Sequence, residues 1–122
     1  MIVGIGIDIV DLDEFRARLS DALVLEVYLP GEQAYAASRE RPWESYAARF
    51  AAKEAAMKAL GAGLSQGLRW VDVEVRRNGD GDLDLRLDGL ALEAARAKGV
   101  TRSWVSVSHS GRSAAAVVVL EA

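Results

Sequence analysis

The longest uninterrupted helical pattern in the chain covers residues 43–60. Alanine dominates this segment, and neither glycine nor proline interrupts it. Alanine is the strongest helix former, and glycine readily adopts the left-handed conformation in which many helices end. Gly61 follows directly. The segment therefore predicts one long helix that ends at Gly61.

The N-terminal segment has a different character. Residues 2–10 are rich in β-branched side chains, which favour a strand, and Gly4 and Gly6 interrupt it. Glycine inside a strand usually marks a bulge or a close approach of backbone or ligand. We expect this strand to be mostly buried, so the acidic Asp8 within it needs an explanation.

The remaining segments have the lengths and patterns of short helices and strands. Residues 11–29 permit a helix that Pro30-Gly31 is expected to end, and residues 78–81 (NGDG) are a strong hairpin signal. Further strands are predicted at 71–75, 83–87, 104–108 and 115–120, and further helices at 32–38 and 90–98. This order predicts an α+β fold in a single domain spanning 1–122. Its sheet is largely antiparallel and packs with one long helix and one or two shorter ones.

Composition argues against several classes of protein. The formal net charge is −3, without the basic excess typical of nucleic-acid-binding proteins. The chain has no cysteine, which removes disulfides, thiolate zinc sites and cysteine nucleophiles. No secretory signal is evident, and the longest apolar stretch near a terminus, residues 114–120, is far shorter than the ~20 residues of a membrane helix. We expect a soluble cytoplasmic protein that contacts neither nucleic acid nor membrane.

Three polar features attract attention, and each has an ordinary structural explanation. Asp8 is rarely placed inside an apolar strand unless it is paired or bound to a metal, but it could cap the next helix or pair with an arginine. Glu54 and Lys58 are four residues apart on the long helix, and could form a surface ion pair. His109 is the only histidine, and a histidine at a strand end is most often structural. None of the three is decisive alone.

Taken together, four segments resemble a known family. They are residues 4–10 (GIGIDIV), 49–55 (RFAAKEA), 58–61 (KALG) and 106–109 (SVSH). Their order, their spacing and the length of the chain are similar to those of the holo-[acyl-carrier-protein] synthase family of phosphopantetheinyl transferases. The resemblance spans nearly the whole chain, and its central Lys-Glu-Ala motif is the most specific element.

The resemblance implies an activity and an assembly. The family transfers the 4'-phosphopantetheine group of coenzyme A, with Mg²⁺, to a serine of apo acyl carrier protein and releases adenosine 3',5'-bisphosphate. The family also implies a homotrimer with coenzyme A bound between neighbouring subunits. The alternative is a non-catalytic coenzyme A or nucleotide-binding module of the same fold.

The resemblance also implies a role for particular residues. Asp8 and Glu54 would hold the magnesium ion, and Lys58 would lie beside the phosphates, so these three are the candidate catalytic residues. Arg49 and His109 would lie near the 3'-phosphate of the nucleotide. The loop after the long helix, with Gly61 and Gly63, would face coenzyme A.

The first helix departs from the family pattern. The family usually presents basic residues there to the acidic helix of the carrier protein. Here Glu14 stands where an arginine is expected, and only Arg16 and Arg18 are basic. We therefore expect docking on the carrier to be weaker or to use different contacts.

Overall fold

The computed structural model describes residues 1–122 and consists of five α-helices and five β-strands. In chain order they are β1 (Ile2–Asp11), α1 (Leu12–Arg18), α2 (Asp21–Val27), α3 (Pro30–Ala37), α4 (Pro42–Leu60), β2 (Val73–Arg77), β3 (Leu83–Leu87), α5 (Gly89–Ala97), β4 (Arg102–His109) and β5 (Ser113–Glu121). No helix combines the length and the apolar character that crossing a bilayer requires.

The strands form two antiparallel sheets. The larger sheet has the order β1-β5-β4, and the smaller one pairs β2 with β3. Helix α4 packs across β1 and β5, and its alanines form the main core with apolar residues of β2 and β5. The predicted α+β class is confirmed, although the long helix is accompanied by four shorter helices.

The two glycines of β1 let α4 lie directly on the strand. A Cβ atom at Gly6 would overlap the carbonyl oxygen of Ala55, and one at Gly4 would overlap that of Ala59. The close approach expected from these glycines is therefore an approach of helix backbone to strand backbone. Since side chains alternate along a strand, Asp8 also points to the side on which α4 lies.

The other side of the larger sheet is apolar and exposed, so the expectation that β1 is mostly buried is wrong. Ile5, Ile7 and Ile9 are 61%, 67% and 70% exposed. The register places their β5 and β4 neighbours on the same side. We call this surface the open sheet face: Ile5, Ile7, Ile9, Trp104, Ala115, Val117 and Val119. Because Gly4, Gly6 and Asp8 occupy the helix side, the isoleucines have to point outward, where nothing in one chain covers them.

The first predicted helix is also wrong in its bounds. It is two helices, because Leu19 and Ser20 adopt extended backbone, and the Ser20 hydroxyl accepts a hydrogen bond from the Leu23 amide at 3.1 Å. Pro30 begins α3 instead of ending the preceding helix, since its missing N–H costs nothing at a first helical position. Val71, predicted to be in a strand, lies in the short 3-10 turn Trp70–Asp72.

Candidate functional site

Asp8 and Lys58 meet where β1 crosses α4. The Lys58 Nζ lies 3.0 Å from Asp8 Oδ1 and donates a second hydrogen bond, also of 3.0 Å, to the carbonyl oxygen of Ile7. The Asp8 side chain is mostly buried, whereas that of Lys58 is about half exposed. Two residues that are fifty positions apart in the sequence therefore form one charged pair with access to solvent.

Glu54 completes this cluster from the preceding turn of α4. Burial raises the pKa of Glu54; the charge of Asp8 and a hydrogen bond with Asp8 raise it further, and only the nearby Lys58 opposes these effects. Two carboxyl groups in hydrogen-bonding range repel each other when both are ionised. A cation between them would relieve this repulsion.

The geometry decides between the explanations that the sequence left open for Asp8 and Lys58. Asp8 neither caps the next helix nor pairs with an arginine; Asp11 caps α1 by accepting from the Glu14 amide at 2.9 Å. Lys58 forms its ion pair with Asp8 and not with Glu54. The ordinary explanations of these residues are therefore wrong.

Asp8 and Glu54 line a cavity of about 310 Å³. Its walls combine carboxylates with apolar side chains from α1, α2 and α4: Asp8, Ile9, Val10, Asp11, Glu14, Phe15, Arg18, Leu23, Phe50 and Glu54. Arg18 is the only cation among them. The apolar wall of Phe15, Leu23 and Phe50 was not identified from the sequence, because a helix pattern alone does not show that these residues converge.

A second cavity, of about 300 Å³, contains Arg49 and His109. The Arg49 guanidinium stacks over the Tyr35 ring at 4.3 Å, with Arg77 at 5.0 Å and Arg39 at 5.6 Å from the same ring. His109 Nδ1 lies 3.4 Å from Glu44 Oε2. The two residues that the resemblance assigned to one phosphate thus line one cavity.

Arg49 is buried but incompletely satisfied. It is 4% exposed, and its Nη1 donates to the Ser45 hydroxyl at 3.1 Å. Its Nε has no hydrogen-bond partner, and none of the ion pairs involves it. Burial lowers the pKa of Arg49 from its ordinary value. A buried cation in this state is favourably completed by an anion.

No pattern in the sequence pointed to Tyr35, Arg39 and Arg77. They come from α3, from the residues after α3 and from the end of β2, and only the packing of these elements brings them to Arg49. Gly61 and Gly63 line neither cavity. Gly61 has a φ of 70° and ends α4 as predicted, but a contact of this loop with a ligand stays a prediction.

The structure holds no group of three or more metal-ligating side chains. The carboxylates of Asp8 and Glu54 are nevertheless a suitable set for Mg²⁺. This ion commonly takes one or two protein carboxylates and completes its octahedron with water and phosphate oxygens. The proximity of these two carboxyl groups at one cavity is the observation that fits such an ion.

Comparison with known proteins gives consistent results. The chain matches the model of the 4'-phosphopantetheinyl transferase superfamily over residues 4–118. It is 44% identical over 124 residues to a holo-[acyl-carrier-protein] synthase of Geobacter sulfurreducens, which covers 99% of this chain and 98% of that protein. The synthase of Solibacter usitatus is 41% identical over 124 residues, covering 99% of both chains.

Solved structures agree with the sequence matches. A holo-(acyl-carrier-protein) synthase from Bacillus anthracis, in complex with CoA (3',5'-ADP), superposes with a TM-score of 0.82 at 35% identity, covering 98% of this chain and 96% of that one. The synthase from Neisseria meningitidis gives a TM-score of 0.88 at 27% identity over 100% of both chains. The chain therefore belongs to the holo-[acyl-carrier-protein] synthase family of 4'-phosphopantetheinyl transferases.

Proposed function

We propose that this enzyme transfers the 4'-phosphopantetheine group of coenzyme A to a serine of apo acyl carrier protein, in the cytoplasm. The serine oxygen forms a bond to the phosphorus of the phosphopantetheine, and the pyrophosphate bond breaks to release adenosine 3',5'-bisphosphate. The observation that carries the proposal is the meeting of Asp8, Glu54 and Lys58 at the edge of a cavity.

In this proposal Asp8 and Glu54 hold a magnesium ion. When bound, such an ion neutralises charge on the phosphoryl group and on the departing phosphate. The protein itself supplies the two oxygens and the mostly buried position of Asp8 that fixes one of them. Manganese, which prefers similar oxygen ligands, is a suitable probe of the same site.

Lys58 and Glu54 contribute charge and proton transfer. The half-exposed ammonium group of Lys58 can leave Asp8 and pair with a phosphate oxygen of the departing nucleotide, since lysine is a compact charge on a flexible stem. Glu54 can orient a water molecule next to the serine hydroxyl, and this water receives the proton. We propose that the serine hydroxyl loses its proton by this route.

The cavity around Arg49 is proposed to bind the 3'-phosphate of coenzyme A. Arg49 is a buried cation that lacks an ion-pair partner, and Arg39 and Arg77 share the Tyr35 ring with it. A phosphate dianion forms charge-assisted hydrogen bonds with guanidinium groups in such a setting. His109 lies at the rim, next to Glu44.

We further propose a homotrimer in which coenzyme A lies between two chains. Arg49 and Glu54 are five positions apart on α4. At about 3.6 residues per turn, their side chains therefore point in directions roughly 140° apart around the helix axis. The two cavities therefore lie on different sides of the helix, and a single chain presents them away from each other. The open sheet face supplies an uncovered apolar surface for the contact between chains.

The partner is proposed to dock at the cavity that holds Asp8 and Glu54, because the reacting serine has to reach them. Glu14 and Arg18 both line this cavity. A carrier with a strongly acidic docking helix would meet Glu14 unfavourably. Carrier preference is thus expected to depend on the balance between these two residues.

The first prediction tests the metal carboxylate. Glu54→Gln keeps the shape of the side chain and removes its charge, so it should abolish transfer while leaving the fold intact. Purified protein, coenzyme A, Mg²⁺ and apo acyl carrier protein are mixed, and intact mass of the carrier shows whether one phosphopantetheine group has been added. The matched control is Glu93→Gln, at an exposed position on α5.

Transfer at the wild-type rate by Glu54→Gln would show that the assigned role is wrong. If the wild-type protein binds coenzyme A but modifies none of several carriers, the non-catalytic binding module is the better description.

A further inference from the structure

The alanines of α4 do not by themselves define the position of the helix along its axis. They form two rows with a spacing of four residues. One row is Ala47, Ala51, Ala55 and Ala59, and the other is Ala48, Ala52 and Ala56, all buried. A slip by one helical turn, about 5.4 Å, would replace most of these alanines by alanines. The larger buried side chains of the helix therefore have to set the register: Arg49, Lys53, Met57 and Leu60.

Lys53, one of these larger side chains, forms a buried ion pair with Glu32. Lys53 and Glu32 are 0% and 1% exposed at their side chains, and Lys53 Nζ lies 2.9 Å from Glu32 Oε1. The ammonium group also donates to the carbonyl oxygens of Trp70, at 3.1 Å, and Val73. All three of its N–H groups therefore have partners.

The carboxylate of Glu32 also has hydrogen-bond partners on both of its oxygens. Its Oε1 accepts from the Leu29 amide at 2.9 Å, and its Oε2 accepts from the Val75 amide at 3.0 Å. The Glu32–Lys53 pair therefore ties α3, α4 and β2 to one another, together with the turn at Trp70. Displacing α4 along its axis would break several of these bonds at once in a place that water does not reach.

Two physical arguments indicate what this pair does. A buried ion pair contributes little net stability compared with apolar residues of similar size, and its best-attested use is to fix a register. Lys53 is also the direct chain neighbour of Glu54, and it points away from the Asp8 side of the helix. Any displacement of Lys53 moves Glu54 relative to Asp8.

We propose that the Glu32–Lys53 pair is a positioning device that sets the register of α4 and so holds Glu54 opposite Asp8 for the divalent cation. Lys53 is fully buried and lines neither cavity. The inference rests on the proposed function of Asp8 and Glu54. It adds that two residues outside both cavities control the affinity for the ion.

The test compares the variant Glu32→Gln/Lys53→Met with the wild type. Binding of Mn²⁺ alone is followed by the electron paramagnetic resonance signal of the free ion, and transfer is measured as a function of Mg²⁺ concentration. We expect the Mn²⁺ dissociation constant to rise about tenfold or more, as outer partners of metal ligands typically produce. Transfer should need correspondingly more Mg²⁺ and should recover at high concentration.

The control is Val75→Ala, which removes buried apolar atoms from β2 but keeps the Val75 amide that binds Glu32. It should lower the stability of the protein without changing Mn²⁺ affinity. If Val75→Ala weakens Mn²⁺ binding as much as the double variant does, the effect follows stability, and the positioning role is wrong.

The variant Asp8→Asn distinguishes a failure of the positioning role from a failure of the proposed metal site. Asp8→Asn must weaken Mn²⁺ binding, and if it does not, the metal site itself is wrong. If Asp8→Asn weakens binding and the double variant does not, only the positioning role is overturned. Should the double variant not fold, Glu32→Met/Lys53→Met replaces both charged groups by apolar side chains of similar length and carries the same expectation.

Discussion

Arg49 is a cation that the fold buries without giving it an ion-pair partner. A buried arginine is stable when its apolar stem is packed and its guanidinium group is paired with an anion. Here Tyr35 and Ser45 contact the guanidinium group, but its Nε has no partner. Hydrogen bonds to charged groups are worth about 1.5–3 kcal/mol, enough to decide which nucleotide is accepted. Under the proposed function, the chemistry of this one residue therefore favours substrates that carry the 3'-phosphate.

The second prediction concerns this selectivity. Arg49→Met should raise the KM for coenzyme A by about ten- to a hundredfold. The reason is that the lost charge-assisted hydrogen bond corresponds to about one to two powers of ten in affinity. The KM for dephospho-coenzyme A, which has no 3'-phosphate, should change far less. Arg86→Met, at an exposed position in β3, is the control. Equal effects on both substrates would place the 3'-phosphate elsewhere.

At the scale of elements, the decisive contact is that of α4 with β1. The helix can lie directly on the strand only because Gly4 and Gly6 have no side chains. This contact also brings Glu54 and Lys58 to Asp8. The site is thus a consequence of how closely a helix and a strand can approach each other.

The third prediction tests that approach. A methyl group at Gly6 would overlap the carbonyl oxygen of Ala55, a backbone atom that cannot move aside alone. Gly6→Ala should destabilise the protein by about 1–3 kcal/mol or more, as overpacking does, and should reduce transfer strongly. Urea unfolding measures the first effect and the mass assay the second. Gly79→Ala, where nothing lies within 4 Å, should change neither.

At the scale of the whole molecule, one sheet has a packed side and an uncovered side. A single chain covers one side with α4 and leaves the isoleucines of β1 in solvent. An exposed apolar surface of this kind usually marks an interface. In the interior, the buried hydroxyl of Tyr28 affects how the stability of the protein depends on pH.

The fourth prediction tests the assembly. Ile7→Asp places a charge in the middle of the open sheet face and should convert the proposed trimer into folded monomers without transfer activity. Size-exclusion chromatography with light scattering measures the mass in solution. Leu25→Asp changes a residue on α2 that is equally exposed, at 72%, and should leave the mass unchanged. A wild-type protein that is monomeric would refute the proposed assembly.

The fifth prediction concerns alkaline pH. Tyr28 is 2% exposed and its hydroxyl donates to the Tyr46 carbonyl at 2.7 Å. Burial, followed by the charge of Glu32, raises the pKa of Tyr28 far above its ordinary value. The phenol therefore stays neutral in the folded state, while it ionises in the unfolded state above about pH 10.

The sign follows from proton binding. Above that pH the folded state holds one more proton than the unfolded state, so this group's contribution to stability is complete below about pH 10 and is lost as pH rises, by up to about 1.4 kcal/mol per pH unit. Urea unfolding between neutral and alkaline pH should show a shallower decline for Tyr28→Phe. An unchanged decline would mean that Tyr28 ionises in the folded state.

Local patterns predicted the long helix and its end at Gly61, the approximate positions of the five strands and the α+β class, because periodicity, alanine content and turn residues act locally. The sequence also identified Asp8, Glu54 and Lys58 as candidates through the motifs that carry them. It did not predict the break at Leu19-Ser20, because extended backbone at two residues is decided by how α1 and α2 pack.

Which distant residues meet in space depends on the packed fold. Lys58 forms its ion pair with Asp8 and not with Glu54, which is closer in the sequence, because the glycines of β1 bring strand and helix into contact. Likewise, Tyr35, Arg39 and Arg77 reach Arg49 from separate elements. Contacts between distant segments depend on how whole helices and strands pack together, and local sequence patterns do not specify that packing.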